Sequence, residues 1–168
     1  MRYLFLALMA LGLMSTPAHA DEPTQSEASL EVSKALVVGA APMLTTDGYG
    51  ASYLWAGPMW YFEPAPKFWI AFNPYAKLSP DTGYWGVGLT NTFEWMVTDT
   101  LGMDLLFEVS QEQVRGEFSQ MGVGVGSGPG FTWYATDDFF LSGYCIAFWD
   151  LRYQSGSINP GLAMGLVL

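Results

Sequence analysis

The sequence has almost none of the side chains from which metal centres and acyl-transfer sites are usually built. Of its 168 residues one is cysteine and one is histidine. Cys145 therefore has no intrachain disulfide partner, and Cys/His zinc clusters are excluded. Cations are scarce as well, with Lys and Arg totalling 6 against 16 Asp and Glu for a net charge of −10. No basic footprint for nucleic acid is present. Beyond the first 20 residues no stretch offers about 20 uninterrupted apolar residues, so no helical membrane span is expected. The chain is nevertheless not a polar one: 51% of it is hydrophobic, 16% aromatic and only 13% charged. Such a composition excludes disorder and asks where so much apolar surface goes.

Residues 1–20 read as a secretory signal, with Arg2 as a short basic start, an apolar run from Tyr3 to Met14, and a small-x-small cleavage site at Ala18-His19-Ala20. Its removal takes away the histidine and leaves Lys34, Lys67, Lys77, Arg115 and Arg152 as the cations. Residues 21–33, DEPTQSEASLEVS, read as a flexible acidic lead-in. Residues 34–168 are one domain's worth of chain.

The informative stretch is Tyr84 to Ser110. From Trp85 to Val97 the odd positions are apolar apart from Asn91, and after Thr98-Asp99-Thr100 the odd positions Leu101 to Val109 are apolar again. The even positions are mostly small or polar and carry Glu94, Asp104 and Glu108. A period of two on both sides of a short turn is a β-hairpin. Turn signals at regular intervals extend this to eight strands: Lys34 to Leu44, Tyr49 to Phe62, Phe68 to Leu78, Tyr84 to Val97, Leu101 to Ser110, Phe118 to Ala135, Phe139 to Tyr153 and Ile158 to Leu168. Every connection is too short for a crossover helix, so neighbours are antiparallel and the topology is an up-and-down meander.

In a soluble barrel the bulky apolar face points inward and charges cover the outside. Here the small, polar face holds the carboxylates while the apolar face is nearly free of charge, so the medium outside must be lipid. About 10 tilted residues cross the apolar band of an outer membrane, and all eight segments are long enough. Aromatics collect at two levels, Trp60, Tyr61, Trp95 and Trp133 at one and Tyr75, Trp85 and Trp149 at the other, as interfacial girdles do. The fold class expected is all-β, an eight-stranded antiparallel up-and-down transmembrane β-barrel.

With this pattern, and with the alternating C-terminal run Gly161 to Leu168, the chain resembles the small eight-stranded outer-membrane barrels of Gram-negative bacteria, the OmpA/OmpX class. The resemblance implies export to the outer membrane, contact with its lipids including lipopolysaccharide, and handling by the barrel-insertion machinery. It implies a structural or interaction role. A narrow pore or a lateral conduit for apolar molecules is the alternative, and a lipid-modifying enzyme a lesser one. Lipid-modifying members of the class work with histidine, which the mature chain lacks, so no catalytic residue, cofactor or metal is assigned.

Several residues nonetheless deserve a place in the lumen. Register across the 98–100 turn sets Glu94 opposite Asp104, two like charges that need a shared proton or a cation. Lys67 is expected to join them near the periplasmic end, and Lys77, Glu108, Asp150 and Arg152 to form a second cluster in the outer half. The alternating glycines from Gly122 to Gly130 lack a following Gly-Lys-Ser/Thr and read as room for Tyr144 and Phe148, not as a phosphate loop. On the outside, Ser127, Pro129, Gly143, Cys145 and Ala147 form a small-residue face open to a lipid or partner. Strand prolines at 42, 58, 74, 129 and 160 each delete a ladder hydrogen bond. They read either as local bulges or as a weakened seam.

Overall fold

The computed structural model describes residues 32–45, 48–80, 82–83, 85–113, 121–152 and 154–168. Eight strands, β1 Val32–Thr45, β2 Gly48–Ala65, β3 Phe68–Leu78, β4 Trp85–Met96, β5 Leu101–Gln113, β6 Met121–Thr136, β7 Phe139–Asp150 and β8 Ser155–Val167, close into one barrel. Each pairs with its chain neighbours and β8 returns to β1, all antiparallel. The expected signal and most of the lead-in lie outside the described residues. β1 begins at Val32, so the last two residues of the expected lead-in belong to the wall. Part of the connection expected at Gln111 to Glu117 is also strand, since β5 runs on to Gln113.

The phase follows the alternation. Even residues of β1, β2, β3 and β8 and odd residues of β4, β5 and β6 point out, where Leu36, Leu54, Phe72, Leu89, Leu105, Val125 and Met164 are exposed. Odd residues point out in β7 as well, because Phe140, Ile146 and Phe148 are all buried inside. A wall of exposed Leu, Val, Phe and Trp on every strand far exceeds the apolar patch a soluble monomer tolerates. The strands also exceed the span of a membrane barrel. Lipid solvates the outside, and side chains solvate one another inside.

Glycine makes the interior possible. A Cβ on Gly124 or Gly126 would run into Phe148, so these two positions of β6 accommodate that ring. Tyr144 lies over Gly161 of β8 instead of over the β6 row. The sequence reading had the right device and, for Tyr144, the wrong neighbour.

Closure of the ladder leads to a first expected result. A barrel without a free edge has every spanning strand paired, so the folded protein resists SDS at room temperature and migrates differently after boiling. Identical mobility with and without boiling would contradict a closed barrel.

Candidate functional site

The polar groups of the lumen form two levels. Toward the end of the barrel where β3 passes to β4, Lys77 from β3 is 8% exposed and its Nζ lies 3.6 Å from Glu108 Oε1 of β5. It also donates to Ser110 Oγ at 3.4 Å and sits over the Tyr53 ring at 4.9 Å and the Phe148 ring at 5.4 Å. The Tyr75 hydroxyl donates to the same Glu108 oxygen. One cation is thus held by a carboxylate, a hydroxyl and aromatic faces, which offset the cost of taking an ammonium out of water.

Nearer the other end, Glu94 of β4 and Asp104 of β5 are register partners, both buried. Tyr134 donates to Glu94 Oε2 at 2.8 Å, and Thr132 donates to Asp104 Oδ2 at 2.8 Å. Glu94 Oε1, Asp104 Oδ1 and Asn159 Oδ1 are buried acceptors that meet no hydrogen-bond donor among the described residues. Between the two levels the indole N–H of Trp55 donates to the Tyr144 hydroxyl at 2.8 Å, a brace from β2 to β7. The space left among these groups is a cavity of about 100 Å³.

Not every residue expected in the lumen is there. Lys67 is exposed at the β2–β3 turn, with φ at 63°, its N–H donating to Glu63 Oε1 at 2.7 Å and its carbonyl accepting from Met96 N. The ladder ends at Phe68, one residue short of it, and the register partner of Glu94 is Trp69. The expected cluster of Lys67, Glu94 and Asp104 is corrected to a pair of acids served by Tyr134 and Thr132. Of the outer cluster, Lys77 and Glu108 are in contact. Asp150 is half-buried at the end of β7 over Gly122, and Arg152 lies beyond the strand, exposed, its backbone N–H donating to Asp150 Oδ1 at 2.8 Å. Tyr61, Tyr75 and Tyr134, whose aromatic rings suit an interfacial girdle, line the lumen instead, and Tyr75, Tyr134 and Thr132 are the donors to its acids. Their inward phase was readable, but a hydroxyl on a lumenal position gives no sign of which acid it will meet.

On the outer face Ser127, Pro129, Cys145 and Ala147 are exposed as expected, whereas Gly143 is buried beneath the Phe131 ring. A groove of about 740 Å³ runs across this face over Pro129, Cys145, Pro160 and Pro42.

No family model and no curated protein matches the chain. Among solved structures, the N-terminal β-barrel domain of Pseudomonas aeruginosa OprF superposes with TM-score 0.55 at 13% identity, over 82% of this chain and 100% of that domain. Neisserial surface protein A does so with TM-score 0.53 at 13% identity, over 80% of this chain and 96% of its own. The fold is that of the small eight-stranded outer-membrane barrels. At this identity the barrel architecture is what the likeness carries. Nothing about a ligand follows from it.

Proposed function

We propose that this chain is a non-conducting barrel of the Gram-negative outer membrane, with a structural or interaction role in the envelope exercised through its outer wall. The observation that carries the reading is the filled lumen. Trp55 with Tyr144, Lys77 with Glu108, and Tyr134 with Glu94 tie strands across the interior and leave about 100 Å³. An eight-stranded interior is only wide enough for side chains, and these are hydrogen-bonded to one another, so a hydrated path would have to break several braces at once.

No group is arranged for catalysis on this reading. The described lumenal residues offer carboxylates, hydroxyls and one lysine, and the hydroxyls of Thr132, Tyr134, Tyr75 and Ser110 serve as hydrogen-bond partners of those charged groups. Outer-membrane lipids, lipopolysaccharide among them, are the partners that an apolar wall meets, and the barrel-insertion machinery would place it there. The test is electrical. Protein reconstituted in a planar bilayer should give no steady ohmic conductance above the lipid background, while regular single-channel steps would reject the closed lumen and favour a narrow pore.

A further inference from the structure

The five strand prolines all point outward, and four of them face each other in pairs. In β1/β8 the ladder runs to Ala40↔Leu162 and resumes at Leu44↔Ile158 without a change of register, which sets Pro42 opposite Pro160. In β2/β3 it stops at Ala56↔Ala76 and resumes at Trp60↔Phe72, which sets Pro58 opposite Pro74. A bulge therefore explains neither gap, although β1 does shift register against β2 next to Pro42. The register shifts of the barrel lie at Met43/Leu44, Phe62/Ala65 and Tyr134/Thr136, in other ladders or away from these pairs.

Hydrogen-bond parity fixes what is lost. Leu168 N donates to Lys34 O, so even residues of β1 occupy the positions at which the two strands exchange both bonds, and Pro42 with Pro160 is one of them. Neither residue has an N–H. Two carbonyls thus face one another across a membrane wall with no donor from the opposite residue, in a medium that supplies none.

The two proline pairs differ in what lies outside them. At Pro58/Pro74 the strands stay close, since a Cβ on Gly57 would strike the Pro74 carbonyl, and the groove does not extend there. Pro42 and Pro160 both line the groove. The inward-phase residues Ala41 and Tyr144 line both it and the lumenal cavity, so its floor is the interrupted ladder itself. Its rim is apolar, with Phe131 and Leu162 at its sides.

We propose that this groove is a binding seat for one acyl chain of a membrane lipid that carries a hydrogen-bond donor near its head, a 3-hydroxyacyl or amide-linked chain, with the donor on the Pro42 and Pro160 carbonyls. The occupant follows from chemistry. The groove faces hydrocarbon, which selects a chain, and its floor holds, beside the Ser52 hydroxyl, the two carbonyls that no cross-strand N–H meets, which selects a chain with an O–H or N–H. The seat rests on the membrane placement proposed above and would serve the interaction role.

Cys145 lies exposed in the groove beside Pro160 and serves as its native reporter. In detergent micelles, alkylation of the Cys145 thiol by N-ethylmaleimide is followed while 3-hydroxytetradecanamide or methyl tetradecanoate is titrated in. The hydroxy amide should protect at a concentration about tenfold lower, the ratio that one bond to an unpaired carbonyl supplies. The double variant Pro42→Val/Pro160→Val restores both N–H donors and should abolish the preference. Pro58→Val/Pro74→Val repairs the other gap and should keep it. Equal protection by the two probes, or none by either, overturns the proposal on the unaltered chain, even if a variant fails to fold. Heat-modifiable migration in the same micelles separates that outcome from a failure of the barrel reading.

Discussion

Replacing Lys77 with methionine is expected to lower the unfolding free energy of the barrel by about 3–5 kcal/mol, the cost of removing one partner of a buried ion pair. The lysine is 8% exposed and its removal leaves the Glu108 carboxylate, 9% exposed, with the Tyr75 hydroxyl as its remaining charge-independent partner in this contact. Methionine keeps the length and apolar stem, so packing against Tyr53 and Phe148 is largely retained and the loss reports on charge. Adding Glu108→Gln should recover most of it, because the uncompensated anion is gone. A double-mutant cycle by urea unfolding in lipid vesicles measures the coupling. Lys67→Met, at an exposed turn, should change stability by no more than about 0.5 kcal/mol. If Lys67 proved the costlier lysine, the assignment of the two lumenal levels would be reversed.

The contrast between these two lysines shows what the sequence could and could not say. Alternation gave the strands, their inward faces and the register across the 98–100 turn, because a one-residue slip would have turned Leu105 inward and Asp104 to lipid. The same reasoning brought Glu94 opposite Asp104, and the structure pairs them. Lys67 shared the inward phase on paper, but phase has meaning only inside a ladder. Pro66 and a left-handed Lys67 make the turn there, one residue beyond the last pair.

Side-chain partners across the lumen were less legible. Trp55 and Tyr144 are 89 residues apart, and no local pattern announces their bond. The prolines were noticed one by one, yet their meaning lies in who faces whom. Pro58 and Pro74 could be set opposite each other only once the length of the β2–β3 turn was known, and Pro42 and Pro160 only once the barrel had closed. A defect that is shared between two strands is a property of register, not of either sequence stretch.

The outer wall gives the other large effect. Leu105→Arg is expected to destabilise the folded barrel by about 2–4 kcal/mol, as for a cation placed near the midplane of a lipid-facing strand. Leu105 points outward between Phe93 of β4 and Pro129 of β6, several residues from either end of β5, so a guanidinium there has no short route to a headgroup. Position along the wall should grade the cost. Met103→Arg stands two residues nearer the turn and should cost less, and Val97→Arg, at the turn itself, about 0–1 kcal/mol. Inward substitutions would not follow this order, because an inward arginine meets the packed side chains of the lumen and not lipid. Unfolding titrations of the three variants in vesicles decide the matter. A steep gradient from Leu105 to Val97 is what a hydrocarbon exterior demands, while equal small effects at all three would mean that water, not lipid, lies against this face and that the barrel does not span a membrane.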